Sequence, residues 1–212
     1  MSFQGTIIYM YLFQIVQNYP FITEIFRACL RLGYIPKQWT ATKVVFTPKP
    51  GKEAYDVPSS WRPISLTSFL LKAMERIVQW FISTPELINT LRECRQFAFI
   101  KGGSTEAALH NIVVRAERAL QTGNDAVLTI LDIEGAFSHA SFASMHNAMA
   151  SLNVSHICRR WIDVMLRSRS VTAQLDGATV TREVEKGCPQ GGVLSPLHWD
   201  MVATRRRRKS SL

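Results

Sequence analysis

The segment Ala126–Leu131, apolar at every position but Thr129, ends on an acid, Asp132. Six residues of this kind read as a short strand buried on both faces, so the chain has to supply a covered sheet around it. The acid then stands at the strand's end. Some fifty residues later comes Lys186-Gly187-Cys188-Pro189-Gln190-Gly191-Gly192-Val193-Leu194-Ser195-Pro196. That stretch is a Gly-Pro turn followed by an amide side chain and two glycines, a backbone able to come close to a ligand.

A chain of 212 residues with 47% hydrophobic content has material for one large domain or two small ones and for a sizeable core. The formal net charge is +9, with five cations in Arg205–Lys209, which leaves +4 elsewhere. This excess suits a phosphate-rich partner without requiring one. The cysteines at 29, 94, 158 and 188 form no C-x-x-C and no Cys/His pair at metal-ligand spacing, which argues against zinc and fits a reducing compartment. The apolar stretch Thr6–Val16 is too short to span a membrane and has no basic segment before it, so it reads as part of a buried helix.

Along the chain, Ile8–Arg31 has helical spacing with a break at Pro20 and a stop at Gly33. Lys43–Phe46 reads as a strand, and Pro48–Lys52 as a loop with two cations. A helix capped by Ser65 or Thr67 runs to Trp80, with Leu70, Leu71, Met74, Ile77 and Val78 on one face. Ser104 or Thr105 caps another, with Ala108, Leu109, Ile112, Val113, Ala116 and Leu120 as its apolar face and Gly123 as its end. Ser141–Leu152 and His156–Leu166 are further helices. Val171–Leu175 and Val180–Val184 flank Asp176-Gly177, a hairpin whose spacing points to a loop of four residues. Helices mixed with few strands give an α+β class.

The order Trp39, Pro48-Lys49-Pro50-Gly51-Lys52, Trp61-Arg62-Pro63-Ile64-Ser65-Leu66, Lys72-Ala73-Met74-Glu75-Arg76, Gln96-Phe97-Ala98-Phe99, Gly103-Ser104-Thr105, Asp132-x-x-x-Ala136-Phe137 and Pro189-Gln190-Gly191-x-x-Leu194-Ser195-Pro196 resembles the reverse transcriptases of non-LTR (LINE-type) retrotransposons. The resemblance covers roughly residues 20–202. It is stronger than a likeness to group II intron maturases because of the Trp-Arg-Pro-Ile-Ser-Leu and Gly-Ser-Thr elements.

The resemblance implies a partial right-hand polymerase: fingers in 1–124, an incomplete palm with motifs A and B in 125–203, no thumb, and a disordered basic tail in 204–212. It implies an RNA template, a DNA primer, deoxynucleoside triphosphates and two Mg2+ ions as partners, with no membrane and a nuclear or cytoplasmic rather than secreted location. Asp132 corresponds to the motif A metal ligand and catalytic acid, with the Ile133 carbonyl beside it. Arg62 and Lys49 correspond to the triphosphate clamp, Phe137 to the ring that rejects a 2′-hydroxyl, and Gln190 with Gly191 to the surface against the incoming nucleotide. A planar guanidinium suits bidentate phosphate contact. Glu134 reads as a solvated or structural acid, and Lys72, Glu75 and Arg76 as a template-facing or structural helix face.

Two departures bear on activity. No Asp-Asp dipeptide occurs in the chain, whereas the family carries an aromatic-x-Asp-Asp hairpin after motif B. One carboxylate cannot hold two cations about 3.5–4 Å apart, so at most one ion is anchored and catalysis alone is not expected. The Gly-x-Asp-Gly element before the first helix is replaced by Phe3-Gln4-Gly5-Thr6. An incomplete sheet should then leave a strand edge and apolar surface exposed, with poor solubility. The basic run reads as a localisation-like patch, a phosphate-binding arm or, most simply, unselected sequence breaking a helix the family continues. The alternatives to a polymerase domain are a non-catalytic nucleic-acid-binding remnant or an expressed relic without selected function.

Overall fold

Helices supply almost all of the core. In the computed structural model, which describes residues 20–100, 102–133, 135–175 and 177–210, the elements follow in this order. Helix α1 is Pro20–Leu32, the single turn α2 is Lys37–Thr40, and strand β1 is Ala41–Pro48. A 3-10 turn at Pro58–Ser60 leads into β2, Trp61–Leu66. Helices α3 (Phe69–Ile82), α4 (Pro85–Glu93) and α5 (Thr105–Gln121) come next. The turn α6 (Ala136–His139), helices α7 (Phe142–Ser151) and α8 (His156–Arg167), the strands β3 (Ser170–Leu175) and β4 (Ala178–Glu183), and α9 (Ser195–Ser210) complete the fold. Among the described residues no helix is long and apolar enough to cross a membrane.

Local chemistry explains most of these boundaries. Gly33 adopts φ +61°, its N–H donates to the Leu30 carbonyl, and the Tyr34 N–H donates to that of Cys29, which closes α1 as a Schellman motif. The Arg160 guanidinium adds a hydrogen bond to the Arg31 carbonyl at the same helix end. Ser104, Ser141 and Ser155 each accept from the backbone N–H three residues on, capping α5, α7 and α8. In α8 the buried side chains are Cys158, Trp161, Ile162, Met165 and Leu166, a helical stripe. They meet Met145, Ala148 and Met149 of α7 and Leu71, Met74 and Val78 of α3 in the core.

The sheet has strand order β2-β1-β3-β4. β1 is antiparallel to β2 and parallel to β3, and β3 is antiparallel to β4. Every residue of β4 is exposed. The β3–β4 connection is only two residues long, since Leu175 pairs with Ala178. That is tighter than the four-residue loop expected from the apolar spacing, because Ala178 joins the ladder despite weak strand propensity and the β-branched Thr179 follows it.

Four further expectations change. Ala126–Leu131 forms no strand: Val127, Leu128, Ile130 and Leu131 are 61–91% exposed. Among the described residues it pairs with no strand, and an extended segment without ladder partners keeps its backbone groups satisfied only by water. The helix through residue 80 starts at Phe69, with Ser68 at its N-cap position making no side-chain capping bond, and Ser65 belongs to β2. The apolar face of α5 is uncovered, and no residue of that helix is buried. The basic run is not a disordered tail, since α9 continues through Ser210. The expected helix before Pro20, the Gly5 element and Glu134 lie outside the described residues.

Candidate functional site

Three segments distant in sequence meet through their main chains. The Ser65 N–H, near the end of β2, donates to the Gln190 carbonyl at 2.8 Å. The Cys188 N–H donates to the Phe137 carbonyl at 2.9 Å and the Gly187 N–H to that of Ala140 at 2.7 Å. The loop Gly187–Val193 thus bridges α6, which follows the apolar run, and the β1–β2 hairpin. Gly187 makes the contact with α6 possible: a Cβ there would lie 2.6 Å from the Ser138 carbonyl oxygen, and the residue has φ +81°.

Of the residues singled out from the sequence, Gln190, Gly191 and Phe137 belong to this junction, and the hydrogen bonds of Lys49 and Asp132 are local to their own segments. Arg62 is exposed on β2, paired in register with Thr47, three residues before Ser65. Lys49 follows β1, its N–H donating to the Ser60 carbonyl and its own carbonyl accepting from the Tyr55 hydroxyl. The loop after it is closed by the Trp61 indole N–H donating to the Tyr55 carbonyl. Gln190 is half-buried, and Gly191 (φ +106°) lies against the Ser65 carbonyl. Phe137 is half-buried, its ring centroid 6.4 Å from that of Phe99 and 6.3 Å from that of Trp199. Asp132 is exposed, with its Oδ1 accepting from the N–H of its neighbour Ile133 at 2.9 Å. A mostly apolar cavity of about 640 Å³ on the hairpin, lined by Val44, Phe46, Tyr55, Val57, Pro58 and Trp61, contains none of these residues.

Buried ionisable residues add to the site: Glu75 takes the structural of the two roles read for its helix face, and Arg169, His198 and Asp200 were not singled out from the sequence. Glu75 sits on the buried stripe of α3 and is fully buried, its Oε2 accepting from the Val193 N–H at 2.9 Å. Burial drives its carboxyl up to about 7, against the lowering effect of that N–H and of Arg169, Lys72 and Arg76. Arg169, also buried, donates through Nη2 to the Gly187 carbonyl and through Nε to that of Leu166. Burial brings its guanidinium down to about 10. Burial and then Arg169 hold His198 down at about 4, so its imidazole is neutral. Asp200 accepts from the Gln96 amide at 2.7 Å and is pushed up by burial to about 7. The acid at an apolar helical position was the legible signal for Glu75; Arg169 carries none.

The described residues do not fit a two-metal centre. Among them no group of three or more His, Cys, Asp or Glu could hold a metal ion.

The model of the family described as "Reverse transcriptase (RNA-dependent DNA polymerase)" matches residues 47–209. The chain belongs to this family. It is 32% identical over 177 residues to the RNA-directed DNA polymerase from mobile element jockey of Drosophila funebris, covering 83% of this chain and 19% of that protein. It is 30% identical over 191 residues to the putative 115 kDa protein in type-1 retrotransposable element R1DM of Drosophila melanogaster, covering 85% and 17%. This reverse transcriptase domain is therefore of the non-LTR retrotransposon kind and spans about a fifth of the length of these curated relatives. Its fold is similar to that of apo telomerase from Candida tropicalis truncated from the C-terminal domain, with a TM-score of 0.53, 14% identity, and coverage of 83% of this chain and 40% of that one. That likeness agrees with a mixed fold of helices and a four-stranded sheet.

Proposed function

We propose that this domain is the nucleotide- and template-engaging part of an RNA-directed DNA polymerase, with residues 1–124 as fingers and 125–203 as the motif A and B portion of the palm. One observation carries the reading: the main-chain contacts that draw β2, the Phe137 turn and the Gln190 loop into one junction. Arg62 and Lys49 take the triphosphate of a deoxynucleotide, Gln190 and Gly191 lie against it, and Phe137 excludes a 2′-hydroxyl. RNA template and DNA primer are the macromolecular partners, held through phosphate contacts that weaken with salt. Asp132 and the Ile133 carbonyl are the metal-facing groups of the family pattern. With one acid at the site, the chain by itself binds nucleotide without extending a primer.

The test is equilibrium binding of deoxythymidine triphosphate to the chain with a dideoxy-terminated DNA primer on an RNA template. Arg62→Ala and Gln190→Ala should each weaken binding about tenfold, or about 1.4 kcal/mol. Unchanged affinity in Arg62→Ala overturns the assignment of the clamp. Primer extension by the chain alone, abolished by Asp132→Asn, would overturn its catalytic incompleteness.

A further inference from the structure

We infer that Glu75 and Arg169 are positioning residues that hold the two ends of the Gly187–Val193 loop from inside the core and so set the place of Gln190. The inference rests on the reading that Gln190 faces the nucleotide. At one end the Arg169 Nη2 donates to the Gly187 carbonyl at 2.5 Å; at the other the Glu75 Oε2 accepts from the Val193 N–H at 2.9 Å. Between them the Ser195 hydroxyl donates to the Pro189 carbonyl at 2.7 Å, and the Gly192 N–H donates to the same carbonyl at 2.9 Å. The Ser65 contact fixes the Gln190 carbonyl from the hairpin side. A seven-residue loop is thereby tied at both ends and in the middle, with Gln190 at its centre.

The cost of these anchors argues for their use. Glu75 and Arg169 are 0% and 3% exposed, and burying charged groups is expensive unless they are well paired. Glu75 sits where its neighbours on the stripe are Leu71, Met74 and Val78, so an apolar residue would pack there. Among the described residues its second oxygen, Oε1, has no hydrogen-bond partner and the side chain's one hydrogen bond is to the loop. An apolar replacement would release the Val193 N–H. Small displacements of a ligand-contacting group cost large factors in binding and rate, which is what a rigid support prevents.

The experiment compares Glu75→Met, of similar length without an acceptor, with Glu75→Gln, which keeps one. Deoxythymidine triphosphate binding is measured as above, alongside amide hydrogen exchange of residues 188–194. Glu75→Met should weaken binding about tenfold and speed exchange in the loop, while Glu75→Gln stays within about threefold of the parent chain. Arg169→Lys keeps the charge but shortens the reach to Gly187, and should give the same loss where Glu75→Met fails to fold. Equal affinity in Glu75→Met and the parent chain, or equal loss in Glu75→Met and Glu75→Gln, overturns the inference while leaving the nucleotide site standing. A parent chain that binds no nucleotide overturns the functional reading, and this inference with it.

Discussion

Individual glycines separate what a turn needs from what a close approach needs. Gly187 requires both, since its φ is positive and a Cβ would meet the Ser138 and Phe137 carbonyl oxygens at 2.6 and 2.9 Å. Gly123 also has positive φ but open space around it. Gly187→Ala should therefore cost about 2–4 kcal/mol in urea unfolding, and Gly123→Ala only about 1 kcal/mol. Equal effects would mean that the α6–loop contact contributes nothing. The motif residues Gly187, Gln190 and Gly191 were legible from sequence because a Gly-Cys-Pro-Gln-Gly-Gly string has few structural uses. What they touch was not. The backbone neighbours of the loop are Ser65, Phe137 and Ala140, and main-chain hydrogen bonds leave no trace in side-chain identity. Arg169 was invisible for a related reason: its partners are carbonyls, which every residue has.

Whole elements were legible where a cap and a stripe agreed. Ser155 with Cys158, Trp161, Ile162, Met165 and Leu166 defines α8 almost to the residue, and α7 behaves alike behind Ser141. The same logic locates α5 but misjudges its surroundings, since an apolar stripe states a preference for burial without supplying a neighbour. Leu109 and Leu120 are 58% and 61% exposed. Leu109→Ala should change urea stability by no more than about 0.5 kcal/mol, whereas Leu91→Ala, at a fully buried position of α4, should cost about 2–5 kcal/mol. A large loss at Leu109 would show that α5 is covered in solution. The run Ala126–Leu131 shares this lesson. Composition marks it for a covered sheet, yet β-structure depends on a partner strand, and the local sequence does not encode one. Conversely, β2 is recognisable as a motif but not as a strand, because Pro63 obscures its alternation. The run of like charges in α9 argues locally against a helix, and the chain nevertheless stays helical through it.

At the scale of the molecule, buried ionisable groups in the core make stability depend on pH in an unusual direction. Glu75 rises from 4.5 to about 7 on folding and Asp200 from 3.8 to about 7, both through burial. The folded chain therefore binds protons at these sites that the unfolded chain has released. Their contribution is fully present below the unfolded values and is lost as pH rises through about 7. A tenfold change in a proton-binding equilibrium is worth about 1.4 kcal/mol, so each carboxyl contributes on the order of 3 kcal/mol over that window. His198 opposes them: burial lowers it from 6.5 to about 4, so its contribution is present above 6.5 and lost as pH falls towards 4. Between about 4.5 and 6.5 two carboxyls outweigh one imidazole, and above 6.5 the carboxyls act alone. The chain should then melt at a higher temperature near pH 5 than near pH 8, measured by circular dichroism at constant ionic strength. In Glu75→Gln combined with Asp200→Asn only the histidine remains of the three, and the slope between pH 5 and 6.5 should reverse, with stability rising as pH rises. A parent chain more stable at pH 8 than at pH 5 would mean that water reaches Glu75 and Asp200, and that the loop anchored on Glu75 is not the closed structure on which the placement of Gln190 depends.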